Sequence, residues 1–284
     1  IPLPEIYPFS PSRPAAGSVS LGTDRVTAPP PPLTAGASMI FVFLSHGAEV
    51  VDLTLNAIGS LRRVNSTIEV FCGCTAPTRA HLTTELAKMN VRVLNVETTV
   101  ESAQYHDFDS AAFNAITTAK FPLIRSLLNR ITSPVVFFDI DIAFVGDPAP
   151  YWSRVLERFD ICVQTEGRAL FPPLYCTGVM GFRPSLFSHQ ILDQLDRIAQ
   201  IDPERVPDGV AFNRLRNADP TFVKTVFPLP ETIFCNGLNG HLVNPPPFDR
   251  VKDQARPILV HANWMVGVEA KQDYLKSLGL WRLS

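Results

Sequence analysis

The chain has no long hydrophobic run. Its apolar stretches are short, as in MIFVFL at Met39–Leu44, whereas a membrane-spanning helix needs roughly 20 apolar residues in succession. No transmembrane segment is expected. An excess of charge is also missing: 25 basic residues stand against 27 acidic ones, a formal net charge of −2. That balance gives no electrostatic reason to bind nucleic acid or an anionic membrane surface. Cysteine is scarce, five scattered residues in all, and an odd, irregular set argues against a disulfide framework. Cys72-Gly73-Cys74 offers too few ligands for a structural zinc site, so buried free thiols are the expected state. Neither a Ser-His-Asp nor a Cys-His constellation is present, and there is no internal repeat. What the chain does have is 46% hydrophobic residues over 284 positions, enough to bury a substantial core.

The chain opens on Ile1 rather than Met, from which a processed or truncated N-terminus is expected. Residues 1–37 differ from the rest, with prolines at 2, 4, 8, 11, 14 and 29–32 among Ser, Ala and Gly. Such a composition favours extended backbone and cannot build a packed core. It reads as a stem or linker, with a path along the domain surface as the alternative. A ligand for an SH3-type domain is a further reading of Pro29–Pro32.

From residue 38 to 284 a single large domain is expected. MIFVFLS reads as a buried strand, followed by a helix over residues 49–63 in which Val50, Leu53, Ala57 and Leu61 recur at helical spacing. Strands at 68–72 and 91–96 flank a helix over 77–89. Strands alternating with helices predict a mostly parallel sheet covered on both faces. Ligands of such sheets bind beyond the carboxyl ends of the strands, which puts Ser45 and His46 where a nucleotide base would lie. In AAFNAITTAKFPLIRSLLNR, Pro122 suits the first turn of a helix. Lys120 then falls near that helix's amino end, where the dipole does not favour a cation. A nearby anion explains it, or a snorkelling surface lysine does. Further helices are expected at 150–158, 184–200, 209–216 and 269–278, strands at 160–164, 175–182 and 257–263, and Pro-rich loops at 228–230 and 245–247.

The most informative segment is VVFFDIDIAFVGDP, residues 135–148. It sets Asp139 and Asp141 at the end of an apolar run, and burying an ionised carboxylate costs several kcal/mol or more unless it is paired or bound to a metal. A second apolar run, Ile258–Val260, ends on His261. Gly267 then permits close backbone approach, and Lys271 follows in the next helix. A neutral imidazole can ligate Mn²⁺, and an ammonium can neutralise phosphate oxygens. Two carboxylates, an imidazole and a lysine suit a metal-bound nucleotide diphosphate. In such a site the metal is a Lewis acid on the departing diphosphate.

These segments, in order, carry a resemblance. FNAITTAK, VVFFDIDIAFVGDP, YCTGVMGFRPS, DGVAFN, LPETIFCNG and HANWMVGVEAK…GLW resemble the nucleotide-diphospho-sugar transferases of the GT-A fold. The likeness is closest to glycosyltransferase family 77, relatives of family 8, and runs from about Met39 to Trp281. It implies a Rossmann-like, mostly parallel α/β sheet and a metal-dependent retaining glycosyltransferase. The implied donor is a UDP-sugar carrying galactose, xylose or arabinose, and the acceptor is a hydroxyl of a glycan or glycoprotein. By the resemblance, Asp139 and Asp141 contact Mn²⁺ (Mg²⁺ being the alternative) and the donor, and His261 completes the metal site. Lys271 and Lys120 hold the diphosphate, and Thr177 and Gly178 sit beside the donor sugar. DGVAFN aligns Asp208 and Asn213 with a D-Q-x-x-x-N pattern, but Gly209 stands where Gln is usual. Asp208 is then the acid group expected near the anomeric carbon, with a helix N-cap as its other reading. Attack on the retained face, with the diphosphate taking the acceptor's proton, needs no strong protein base.

Trp264 and Trp281 are read as sugar platforms or packing anchors. Phe234-Cys235-Asn236-Gly237 reads as the border of an acceptor groove or as a turn, and Asn65-Ser66-Thr67 as an N-glycosylation pattern. The expected compartment is the Golgi lumen, with a cytoplasmic enzyme as the alternative. Two rival functions are a nucleotide-sugar-binding module without turnover, motivated by Gly209, and a phosphatase of the haloacid dehalogenase class. The second wants Thr or Val where Ala143 stands.

Overall fold

The computed structural model of the chain describes residues 39–98, 100, 104, 106, 110–166, 174–201, 206–219, 222–243 and 256–283. The stem at 1–37, with Pro29–Pro32, and the prolines at 245–247 lie outside the described residues.

The amino-terminal half is built of βα units. Strands β1 (Ile40–Ser45), β2 (Glu69–Cys74) and β3 (Val91–Asn95) alternate with helices α1 (Val51–Val64) and α2 (Ala76–Lys88). Every residue of β1 is buried, because helices cover both faces of the sheet, and so it reads as an unbroken apolar run rather than an alternating one. Helices α3 (Ala111–Thr118) and α4 (Lys120–Leu128) lead into β4 (Val135–Phe138). The Ser110 hydroxyl accepts the Phe113 N–H and starts α3.

The rest comprises β5 (Ile142–Phe144), α5 (Ala149–Leu156), β6 (Ile161–Thr165), β7 (Tyr175–Phe182), α6 (Leu186–Ile201), α7 (Asp208–Ala218), α8 (Phe222–Thr225), β8 (Val226–Leu229), β9 (Phe234–Cys235), β10 (Leu259–His261) and α9 (Val268–Ser277). The main sheet has seven strands in the order β3-β2-β1-β4-β7-β6-β8. It is parallel except at β7, which runs antiparallel to β4 and to β6. A second sheet has the order β5-β10-β9. The mostly parallel α/β architecture is as expected. One local expectation needs correcting. Pro228 lies in β8 and not in a loop. It is tolerated there because β8 is the edge strand and the missing N–H interrupts no inner ladder. The apolar run before the aspartates is a strand, β4, as expected, and the residues after them form β5 of the second sheet.

The core forms on both faces of the main sheet. On one face Phe121, Leu123, Ile124, Leu192 and Phe212 of α4, α6 and α7 pack on Val42 and Phe137. On the other, Leu61, Leu82 and Trp152 of α1, α2 and α5 pack on Phe41, Phe43 and Phe138. Phe138 meets Phe43, Phe144 and Trp152 at centroid distances of 5.7, 5.0 and 6.2 Å. Each such fully buried aromatic contributes on the order of 2–3 kcal/mol by burial, which fixes the end of β4, and with it the aspartates that follow.

Candidate active site

Strand register assembles the site. Phe138 pairs with Val179 antiparallel, so the next residue, Asp139, falls beside Gly178 and donates its N–H to the Gly178 carbonyl at 2.7 Å. Ile142 pairs with His261 antiparallel, so Asp141 falls beside Ala262 and its carbonyl accepts the Ala262 N–H at 2.9 Å. The D-x-D segment therefore crosses from the main sheet to the second sheet. Its backbone is held on one side by β7 and on the other by the residue after β10. His261 is brought against both aspartates by that crossing.

His261 is buried, with Nε2 3.1 Å from Asp141 Oδ1 and 3.8 Å from Asp139 Oδ2. Its Nδ1 lies 2.8 Å from Gln164 Oε1. The amide orientation of Gln164 is fixed independently, because its Nε2 donates to the Phe234 carbonyl at 3.0 Å. Oε1 is thus an acceptor, and His261 carries its proton on Nδ1. Nε2 then points at two carboxylates, an arrangement that calls for positive charge there, either a second ring proton or a metal ion. A partner that fixes the tautomer in this way is characteristic of a metal-ligating histidine. One ligand-type atom from each of Asp139, Asp141 and His261 lies within 4.8 Å of the others, the only group of three or more His, Cys, Asp or Glu so arranged among the described residues. The three residues fit a divalent metal.

Gly178 makes room for them. A Cβ there would stand 2.1 Å from His261 Cε1 and 2.7 Å from Asp139 Oδ2, so no other residue fits without moving a ligand. Gly267, at φ +90°, starts α9 in a conformation L-residues avoid. One turn on, Lys271 Nζ reaches Asp141 Oδ2 at 2.8 Å.

The second lysine is placed differently. Lys120, first residue of α4, is buried with 1% exposure and 4.7 Å above the Phe137 ring. Its ammonium gives its three protons to Asp139 Oδ1 at 3.0 Å, Asp208 Oδ2 at 2.5 Å and the Thr177 carbonyl at 3.3 Å. It is no snorkelling surface lysine; the anion that accounts for it is the protein's own pair of aspartates. For Lys120 to contact a diphosphate, one of these bonds must be given up. Asp208, first residue of α7, also accepts the Thr177 hydroxyl at 2.6 Å. Its carboxylate thus belongs to the Lys120 cluster, while Pro207 occupies the N-cap position.

The charges follow from these contacts. Burial pushes the Asp141 carboxyl up, but Lys271 and His261 outweigh it and hold it well below the usual range. Burial also opposes ionisation of Asp208, and is outweighed by Lys120, the Thr177 hydroxyl and the Gly209 N–H, so its carboxyl is held low. At Asp139 burial prevails over Lys120, and the neighbouring Asp141 charge adds to it, so this carboxyl is raised. Burial pulls the Lys120 ammonium down, but Asp139 and Asp208 together hold it above its ordinary value.

A cavity opens beside this cluster, walled by His46, His106, Phe113, Ile116, Lys120, Asp139, Asp141 and Lys271 among others. His46 lines it, as expected for a residue beyond β1; Ser45 does not, its hydroxyl facing α1 at 2.8 Å from Thr54 Oγ1. Asn213 also stands apart. Its amide is spent on the Tyr175 N–H and carbonyl and on the Gly209 carbonyl, tying α7 to β7. Sequence reasoning missed Gln164 and His106. Gln164 is an interior strand residue recognisable only by its partner. His106 stands 6.0 Å from the His46 ring, with Nε2 buried and without a hydrogen bond. An isolated histidine in a polar stretch carries no sequence signal.

A family model described as nucleotide-diphospho-sugar transferase matches residues 78–275, well over half of the chain. Solved structures share the fold at low identity. The galactosyltransferase LgtC, in complex with donor and acceptor sugar analogues, is 14% identical with a TM-score of 0.55, over 87% of this chain and 97% of that one. A glycosyltransferase involved in glycosylation of the major capsid of PBCV-1 gives 9% and 0.53, over 84% and 98%. GlyE of Streptococcus pneumoniae gives 14% and 0.52, over 82% and 59%. No curated protein matches the chain.

Proposed function

The chain belongs to the nucleotide-diphospho-sugar transferase family, and on that premise we propose that it is a metal-dependent, retaining glycosyltransferase using a UDP-sugar. Within the family, the ordered motifs from FNAITTAK to HANWMVGVEAK favour family 77 and a galactose, xylose or arabinose donor. The observation that carries the metal is the orientation of His261: Nδ1 donates to Gln164, so Nε2 is left to face Asp139 and Asp141 as the third ligand-type atom. Asp139, Asp141 and His261 would hold Mn²⁺, with Mg²⁺ as the alternative. When bound, a divalent ion supplies Lewis acidity to a diphosphate leaving group.

The residues of the chain do the rest. Lys271, on the open side of the cluster, neutralises diphosphate oxygens. Thr177 and Gly178 border the sugar, and Lys120 and Asp208 hold that wall in place. The bond from the anomeric carbon to the diphosphate breaks, and one to the acceptor oxygen forms on the same face. The acceptor's proton leaves with the diphosphate. Asp208 is not required as a base, in keeping with its low carboxyl and its engagement with Lys120. Position 209 leaves space on the sugar side, where a Cβ would meet only Thr177 Oγ1, at 3.8 Å. The acceptor is a hydroxyl of a glycan or glycoprotein, and a Golgi lumenal setting suits such acceptors.

The test is hydrolysis and transfer across a panel of UDP-sugars with and without Mn²⁺. Metal-dependent release of UDP from one of them supports the reading. Tight UDP-sugar binding with neither hydrolysis nor transfer would leave a binding module instead.

A further inference from the structure

Helix α1 spans two clefts. Its first turn contributes Leu53 to the cavity beside the aspartates, while its carboxyl end and the chain's last described residues line a second cleft of about 200 Å³. Arg63 lines this cleft, and its neighbour Arg62 has contrasting partners. Arg62 donates to the Met89, Ile68 and Asn90 carbonyls at 2.7–2.8 Å. Neither Arg63 nor Arg282, both lining the cleft, has a hydrogen bond or ion pair through its guanidinium among the described residues. Partial covering by the cleft wall, and repulsion from Arg282, hold the Arg63 guanidinium, itself an exposed residue, below its ordinary value. Glu85 lines the cleft too, but its carboxylate is bound by Lys88 at 2.7 Å. A third element points the same way. Asn56 in the cleft wall has 1% exposure; its Oδ1 accepts the Arg282 backbone N–H at 3.0 Å, and its buried Nδ2 lacks a hydrogen-bond partner.

We propose that this cleft binds a phosphate-type oxyanion, either free phosphate or the phosphate of a lipid headgroup. Arg63, Arg282 and Lys88 against Glu85 leave an excess of two positive charges, which suits a dianion. Paired guanidiniums supply the forked donors that phosphate oxygens accept. Such a ligand would also fasten the tail to α1, and the tail continues from α9, which carries Lys271. The inference is independent of the transferase reading.

The test is thermal unfolding of the full chain with inorganic phosphate titrated against chloride at constant ionic strength, because a ligand bound to the folded state raises Tm in a saturable way. The expected result is a saturable rise whose midpoint weakens by at least ~tenfold in Arg63→Gln/Arg282→Gln, since each charge-assisted pair is worth a factor of this order. Both arginines are exposed, and circular dichroism checks that the variant is folded. A response identical in the double variant would overturn the proposal; so would no saturable response. Sedimentation with phosphatidic acid vesicles, wild type against the double variant, separates the sources: arginine-dependent pelleting identifies a headgroup, and its absence beside an arginine-dependent phosphate response identifies the free anion.

Discussion

The two aspartates of the D-x-D segment lean on two lysines, and the two halves of the cluster differ in kind. On one side Lys120 is sealed among Asp139, Asp208, Thr177 and the Phe137 ring, with a side chain 2% exposed. On the other, Lys271 meets Asp141 beside His261 with a side chain 20% exposed toward the cavity. The sealed half is joined to core elements α4, β7 and α7. The open half sits where the chain passes between sheets. Similar ion pairs therefore serve different ends: a buried pair is costly to break and holds geometry, while a pair at a cavity can exchange its partner for a ligand.

The largest expected effect falls on the open half. On the proposed reading, Asp141→Ala removes a metal ligand, and Mn²⁺-dependent UDP release should fall by ~10³-fold or more, since the metal supplies several kcal/mol to the leaving group. The fold should persist, as read by circular dichroism. Full turnover in this variant would sink the metal site.

Next comes the sealed half. Lys120→Met leaves Asp208 buried and Asp139 half-buried without their cation, and urea denaturation should show a loss of ~3–5 kcal/mol. Lys271→Met should reverse the proportions: a smaller loss of stability, because the buried Asp141 carboxylate keeps His261 beside it, with a loss of turnover of roughly 10²-fold. If both lysine variants lost stability equally, the division into scaffold and chemistry would fail.

Gln164 tests the comparison from outside the cluster. Gln164→Leu removes the acceptor that holds the His261 proton on Nδ1, and Mn²⁺ affinity should weaken ~10- to 100-fold. Gln164→Glu, which keeps an acceptor, should retain more of that affinity. Equal loss in both would mean that Gln164 only fills space.

How much of this was legible in the sequence follows the same line. The metal-type group was readable, because Asp139, Asp141 and His261 follow apolar runs, and strand ends are local features. Gly178 and Lys271 came with the motifs around them. Of the sealed half, Lys120, Thr177 and Asp208 were named, with an anion beside Lys120, but their pairing was not legible. Lys120 meets Asp139 and Asp208 across the chain, and Gln164 meets His261 from 97 residues away. Such pairings depend on sheet order, which periodicity does not encode. Asp208 could be read as a cap or a sugar contact, but its engagement with a buried lysine appears only once α4 and α7 are placed. The strand end before the aspartates was legible, but that the apolar residues after them belong to a second sheet was not.

The smallest effect is the pH dependence of the sealed half, and it has a definite sign. A carboxyl whose folded pKa is depressed adds stability above its unfolded value and loses it as pH falls through the folded one. Asp208 and Asp141 are of this kind in the wild type. Asp139, raised by burial, acts oppositely: its contribution is present at low pH and lost as pH rises through its folded value. Acidification below the ordinary carboxylate range should therefore destabilise the wild type as Asp208 and Asp141 take up protons. In Lys120→Met the cation opposing burial is gone, so the carboxyls of both Asp208 and Asp139 should rise above that range. Protonation then relieves a buried charge instead of breaking a pair. Urea midpoints taken from about pH 7 to about pH 4 should converge, the stability gap between wild type and variant shrinking as pH falls. A gap that stays constant would mean that Lys120 does not set the ionisation of Asp208, and that the sealed half is held by packing rather than by charge.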